Sequence, residues 1–159
     1  MCRIEAERAA FELLRRRGET VTFAESCTGG LLAARLVGVP GASEVLEESH
    51  VTYADAAKAR VLGVKWETLE KYTAVSAQCA REMAEGARRI SGATWAVSTT
   101  GYAGPDGGAD GTPVGTVYIA VAGPDGTAVE ECHFGGDREN VRALAATRGF
   151  EALRERLER

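Results

Sequence analysis

Apolar residues recur at helical spacing over residues 5–17, where Ala6, Ala9, Ala10, Leu13 and Leu14 share a face and Gly18 ends the run. Residues 21–24 form a short apolar run that reads as a strand. Residues 31–37 read as a buried helix, stopped by Gly38-Val39-Pro40-Gly41. Residues 48–54, with Val51, Thr52 and Tyr53, predict a second strand, and Asp55 is placed to cap a short helix through Val61-Leu62. Residues 66–72 predict another short helix. Ser76 reads as the N-cap of a helix to Ile90, with Ala80, Met83, Ala87 and Ile90 on one face and Gly92 beyond. Residues 95–100 predict a third strand, which breaks at Gly101 into a segment too rich in glycine for helix or strand, residues 102–113. An apolar, central strand follows over residues 114–122. Gly123-Pro124-Asp125-Gly126 turns the chain into an antiparallel partner over residues 127–134. The last helix, residues 138–157, turns Val141, Leu144, Ala145, Leu153 and Leu157 inward.

Helices and strands therefore alternate through the first two-thirds, and a hairpin and a helix close the chain. That order predicts a three-layer α/β/α sandwich with a mixed, mostly parallel sheet. No internal repeat or boundary divides residues 1–159, so a single domain is expected. In such folds ligands lie beyond the carboxyl ends of the parallel strands. Here those ends are Glu25-Ser26-Cys27, Tyr53-Ala54-Asp55 and Thr99-Thr100-Gly101.

Composition narrows the function. A length of 159 residues suits one domain with a sizeable core. A net charge of −4 offers no basic surplus for phosphate contacts, which argues against a nucleic-acid partner. No apolar run approaches the roughly 20 residues that span a bilayer, so no membrane association is expected. The charged, acidic start, Met1 to Arg8, is no secretory signal, and a cytoplasmic location is the expectation. Cys2, Cys27, Cys79 and Cys132 form no C-x-x-C pair, and His50 and His133 form no H-E-x-x-H. No metal site is expected, nor a cofactor: the Walker A and dinucleotide fingerprints are absent in their proper contexts. Cys2, Cys79 and Cys132 read as small buried or reduced side chains.

Candidate chemistry concentrates at Ala24-Glu25-Ser26-Cys27-Thr28-Gly29-Gly30. Two nucleophiles, Ser26 and Cys27, sit where a strand turns into a helix. Unpaired amides at a helix start can hold a phosphate or the oxyanion of acyl transfer, and Gly29 and Gly30 let the backbone approach a ligand. The plainer reading is an N-cap made by Ser26 or Thr28. Tyr53 and Lys58 lie five residues apart across the second strand-to-helix junction. Lys58 falls in the first turn of its helix, where dipole and desolvation both favour a neutral amine; Asp55 opposes this if close. The plainer reading is a surface lysine with its stem on the sheet edge.

Several further segments occur in order: Thr52-Tyr53-Ala54-Asp55-Ala56-Ala57-Lys58, Ala74-Val75-Ser76, Thr100-Gly101-Tyr102-Ala103-Gly104-Pro105-Asp106-Gly107-Gly108, Pro113-Val114-Gly115-Thr116-Val117 and Gly136-Asp137-Arg138. With Glu25-Ser26-Cys27-Thr28-Gly29-Gly30 they closely resemble the CinA C-terminal domain family, the nicotinamide-nucleotide amidohydrolases, over nearly the whole chain. The resemblance implies a stand-alone domain that hydrolyses nicotinamide mononucleotide to nicotinic acid mononucleotide and ammonia without a metal. It implies a serine nucleophile at Ser26, served by Lys58 and Tyr53, and substrate contacts from Cys27, Thr28, Gly29, Gly30, Thr100, Gly101 and Arg138. It also implies a homo-oligomer. The chain departs from the family at Tyr102, where an aliphatic residue is usual, at Thr73, where glycine is common, and at Ser49, where glycine is frequent.

The residues fit that chemistry. A carboxamide is a poor electrophile, so the site needs an activated nucleophile and a stabilised oxyanion. Neutral Lys58 or ionised Tyr53 would accept the Ser26 proton, and the amides after Ser26 would hold the oxyanion. Arg138, at the start of the last helix, suits a phosphate; the plainer reading is a surface pair with Asp137 or Glu139. Two rivals stand beside this reading. One takes Cys27 as nucleophile with His50 or His133 as base. The other is a non-catalytic nucleotide-binding or regulatory module.

Overall fold

The computed structural model describes residues 3–159, and side chains from residue 5 onward. Cys2 lies outside them. Three strands of Val, Ala and Thr make the centre of the sheet: β1 (Val21–Glu25), β3 (Trp95–Gly101) and β4 (Thr116–Gly123). β2 (His50–Val51) and β5 (Gly126–His133) form the two edges, and the order is β2-β1-β3-β4-β5. β1 pairs in parallel with β2 and β3, setting Ala24 opposite His50 and Ser98. β4 runs antiparallel to both β3 and β5. Four strands thus point one way and β4 the other. β1 is buried along its whole length, as expected of a strand covered on both faces, whereas β5 carries exposed positions along its length.

One face is covered by α1 (Arg3–Arg17), α2 (Leu31–Val37) and α6 (Arg138–Leu157), with Phe23, Leu32, Leu36, Phe150 and Leu153 between them. The Phe23 and Phe150 rings meet edge to face at 5.8 Å. The other face is covered by α3 (Asp55–Leu62), α4 (Trp66–Tyr72) and α5 (Ala77–Ser91). There Leu62, Cys79 and Met83 pack on Ala24, Ala96 and Ala120 of the sheet. Small strand residues let α5 lie close, and a Cβ at Gly86 would collide with the carbonyl of Leu62 in α3. The three-layer α/β/α sandwich is therefore the observed fold. Among the described residues no helix is long and apolar enough to cross a membrane.

Several local expectations need correction. The second strand covers only His50–Val51, because after Thr52 donates its amide to Glu25 O the chain turns into α3. Asp55 does not cap α3. Ala54 occupies that position without a side-chain bond, and Asp55 is the first helical residue. Ile90 and Leu144 are exposed rather than inward: Ile90 sits in the last turn of α5 and Leu144 on the uncovered side of α6. β4 starts at Thr116, two residues later than expected, because Gly115 takes φ 90° and ties its amide to Tyr102 O. Ser76 does cap α5, accepting from the Cys79 amide at 3.1 Å.

Thr73, one of the departures from the family pattern, ends α4 at φ 67°, ψ 172°. That region is open to glycine and costs another residue about 1–3 kcal/mol. The Thr73 hydroxyl is also buried without a hydrogen-bond partner. Thr73→Gly should therefore stabilise the domain by about 1 kcal/mol, after allowing for the greater freedom of an unfolded glycine. Urea titration checks it. An unchanged or lower midpoint would mean that the backbone strain is offset locally.

Candidate active site

The carboxyl end of β1 sets the site. Glu25 is its last residue and is fully buried. Its carboxylate accepts from the Leu32 and Ala33 amides at 2.8 and 3.2 Å and from Thr28 Oγ1 at 2.6 Å. Glu25, not Ser26 or Thr28, thereby satisfies the first free amides of α2, whose N-cap is Gly30 with no side-chain cap bond. Thr28 Oγ1 also lies 2.8 Å from Thr99 Oγ1, which ties the turn to β3. Gly29 and Gly30 take φ 59° and 101°, the left-handed conformation that lets the chain reverse between strand and helix.

Ser26 leaves the strand with its amide donating to Thr99 O at 3.0 Å. The carbonyls that follow are all engaged. Ser26 O accepts from the Gly29 amide, and Thr28 O from the Leu31 amide. Arg142 of α6 donates to Cys27 O at 3.1 Å and to Thr28 O at 2.8 Å. The amides of Cys27 and Thr28, by contrast, meet no backbone carbonyl among the described residues, and the Cys27 amide hydrogen-bonds its own sulfur.

Lys58 comes to Ser26 from α3. Only 1% of it is exposed, and its Nζ lies 3.0 Å from Ser26 Oγ, 2.9 Å from Thr52 O and 3.0 Å from Tyr53 O. An ammonium would donate to all three. A neutral amine has two N–H groups, which the two carbonyls take, and its lone pair then faces the serine hydroxyl. Burial pushes the Lys58 amine below its ordinary range, against the opposing pull of Cys79, Asp55 and Cys27. The geometry admits either form, and desolvation favours the uncharged one.

Ser26, Cys27, Tyr53, Lys58, Thr100 and Arg138 share the wall of one cavity of about 240 Å³, together with Gly101. Thr28, Gly29 and Gly30 are not on that wall. Tyr53 is 62% exposed; its carbonyl serves Lys58, while its hydroxyl accepts from Arg138 Nη2 at 3.1 Å. Arg138 Nη1 donates to Gly104 O at 2.6 Å, so the guanidinium bridges the glycine-rich loop and the β2–α3 junction. Thr100 Oγ1 donates to Ala74 O at 2.8 Å, fixing the segment before α5. Cys27 is a poor nucleophile here, because burial pushes its thiol up to about 12. Neither histidine lines the cavity.

Three residues escaped the sequence reading in the parts they play: Glu25 as a cap, Arg142 as a clamp, and Asp106 on the cavity wall, where Asp55 also lies as expected from its strand end. Arg142 had a usable signal, since it lies one helical turn beyond Arg138. Glu25 had none, because a cap reaching back from a strand leaves no fixed spacing.

Known proteins share this arrangement of chain. A CinA-like protein of Anaeromyxobacter sp. (strain K) is 54% identical over 138 residues, which cover 87% of this chain and 34% of that one. A CinA-like protein of Geobacter metallireducens is 48% identical over 145 residues, 91% of this chain and 35% of that one. The chain thus spans about a third of the length of these relatives. A CinA superfamily protein from Klebsiella pneumoniae has a crystal structure that covers 99% of both chains at 40% identity, with a TM-score of 0.97. The competence/damage inducible protein CihA from Agrobacterium tumefaciens follows at 38% identity, 99% and 96% coverage and a TM-score of 0.94. The model of the CinA C-terminal domain matches residues 4–157, and this chain belongs to that family.

Proposed function

We propose that this domain is an amidohydrolase that converts nicotinamide mononucleotide to nicotinic acid mononucleotide and ammonia. The observation that carries the hydrolase reading is the buried Lys58 amine 3.0 Å from Ser26 Oγ, with two carbonyls on its remaining donors. Serine–lysine pairs perform acyl transfer on unrelated folds without a histidine. The choice of substrate rests on the family resemblance, and on a cavity that sets an arginine and a tyrosine ring beside that pair.

The steps follow from the geometry. Lys58 takes the Ser26 proton as Oγ attacks the carboxamide carbon. The carbonyl oxygen becomes an oxyanion and is held by the backbone amide that follows Ser26, that of Cys27 on the cavity wall. Lys58 returns its proton to the nitrogen as the C–N bond breaks, and ammonia leaves. Water then gives a proton to Lys58 and attacks the ester carbon. The acid departs and Ser26 recovers its hydrogen. Tyr53 offers an aromatic face to the cationic pyridinium ring and holds Arg138 with its hydroxyl. Arg138 binds the phosphate. Subunit association, substrate use and a cytoplasmic setting belong to the same proposal, as does independence of any metal.

Ser26→Ala should abolish ammonia release with the fold intact, since losing one member of a nucleophile–base unit removes most of the rate. Cys27→Ala should keep much of the activity. An inactive Cys27→Ala enzyme beside an active Ser26→Ala enzyme would reverse the assignment.

Lys58→Arg should be inactive, because guanidinium stays charged and accepts no proton. The base form of Lys58 exists above its pKa, so kcat should rise with pH through a limb set below the roughly 10.4 of ordinary lysine. A pH–rate profile checks this. Near-normal turnover by Lys58→Arg would end the general-base role.

Arg138→Ala should lower kcat/KM for nicotinamide mononucleotide about ten- to a hundredfold, the worth of a charge-assisted bond of roughly 1.5–3 kcal/mol. Nicotinamide riboside, which lacks the phosphate, should be affected far less. Equal losses on the two substrates would assign Arg138 to structure or to the reacting amide.

A further inference from the structure

We infer that Tyr102 is a positioning residue for substrate binding: its ring seats on Gly108 and holds the glycine-rich loop, residues 102–113, as a preformed wall of the cavity. The inference takes its substrate from the reading proposed above, while the packing of the ring stands apart from it.

The loop leaves β3 at Gly101 and meets β4 at Thr116. Its stem is tied to the end of the sheet. The Tyr102 amide donates to Thr116 O at 3.0 Å, and Tyr102 O accepts from the Gly115 amide at 2.7 Å. Gly104, on the same arm, gives its carbonyl to Arg138. The tip is a closed turn. The Gly108 amide donates to Thr112 O at 2.8 Å and the Gly111 amide to Gly108 O at 3.1 Å. Asp110 Oδ1 accepts from both the amide and the hydroxyl of Thr112. Among the described residues these bonds run within the tip, so they shape it without fixing it to the domain.

Gly108 shows what does fix it. Its φ lies outside the left-handed region, so its backbone is open to any residue and only its neighbours exclude a side chain. A Cβ there would come within 2.9 Å of Tyr102 Cε2 and Oη and 2.5 Å of Asp110 Oδ1. The outer edge of the phenol ring thus rests on the backbone of the tip. A Cβ at Gly107 would collide with Thr112 O, so the two arms of the loop also touch backbone to backbone. Tyr102 starts on the fixed stem and ends on the tip. It is a strut between them, and it lines the cavity with Gly104 and Asp106 of the same loop.

Such a strut acts on binding. A loop with glycine at 104, 107, 108 and 111 has more backbone freedom to lose than an ordinary one, and each residue ordered on binding costs affinity. Packing that orders the loop in advance removes that cost from the binding step. Ser26 follows β1 and Lys58 lies in α3, both outside the loop. Loosening the loop therefore weakens binding and leaves the chemistry alone.

The test uses the whole domain. Backbone NMR relaxation without ligand reads the loop directly. In Tyr102→Leu the order parameters of residues 107–112 should fall from about 0.85 to below about 0.6, with those of β3 and β4 unchanged. KM for nicotinamide mononucleotide should rise about tenfold, the worth of ordering roughly one residue in advance, while kcat stays within about twofold. Tyr102→Phe keeps the ring edge and should match the wild type in both. Gly108→Ala should also raise KM, by pushing the ring off its seat. In Tyr102→Leu/Gly108→Ala the rise should be smaller than the product of the two single rises, as for groups in contact. Circular dichroism and a thermal melt on each variant give the folded fraction to which rates are normalised. An unchanged loop in Tyr102→Leu would overturn the inference, as would a loss carried by kcat. So would a Tyr102→Phe enzyme as poor as Tyr102→Leu, or single rises that simply multiply. A loop that loosens as expected in a protein that releases no ammonia would count against the proposed substrate and leave the strut supported.

Discussion

The turn after β1 is built around one buried carboxylate. Glu25 reaches from the last residue of a strand to the first free amides of the helix that follows, and holds the Thr28 hydroxyl as well. A helix start is ordinarily a ready site for an anion. In this protein that place is filled from within, so the start of α2 is closed to an anion. On the proposed reading, negative charge is met one step back, at the amide that follows Ser26, and across the cavity, at Arg138 at the start of α6. The proposed substrate has two such centres, a permanent phosphate and an oxyanion that forms during reaction.

The second constraint is the burial of Lys58. An amine with 1% exposure would be costly as an isolated ammonium, and its partners are two carbonyls and a hydroxyl rather than a carboxylate. Both carbonyls come from residues 52 and 53, the point where β2 gives out and α3 begins. The shortness of β2 is thus part of the site. Had the strand continued through Tyr53, those carbonyls would lie in the plane of the sheet, and the lysine would have nothing to orient it.

What could be read from the sequence follows from how local each signal is. The helix capped by Ser76 was legible, because an N-cap and its helix are contiguous. So were the three layers, which follow from alternating elements. Ser26, Lys58 and Arg138 could be named as candidates from strand-to-helix junctions and from the family pattern, and they do share one cavity wall. The exposed faces at Ile90 and Leu144 were misread, because helical periodicity fixes a face without telling where the sheet beneath it stops. The extent of β2 was misread because Val51, Thr52 and Tyr53 favour extended backbone whether or not a ladder forms. Glu25 acts across a turn on backbone amides that any residue possesses and leaves no pattern along the chain, whereas Arg142, which acts between layers, is marked only by its place one helical turn beyond Arg138.

Helix α6 gathers these threads. Its core face packs on the sheet through Val141, Ala145, Phe150 and Leu153, so its position is set by the same burial that stabilises the domain. Its first two turns carry Arg138 to the wall of the cavity and Arg142 to the carbonyls of Cys27 and Thr28, just after Ser26. Residues four apart on a helix lie on one side, about a turn's rise from each other. The distance between Arg138 and the carbonyls of the turn that carries Ser26 is therefore set by helix geometry rather than by loops. A shift of the helix that closed Arg138 on a phosphate would also press Arg142 on the peptides of Cys27 and Thr28. On the proposed reading, phosphate binding far from the reacting bond would then be felt at the turn that carries Ser26, the kind of coupling by which remote binding energy raises kcat rather than merely lowering KM.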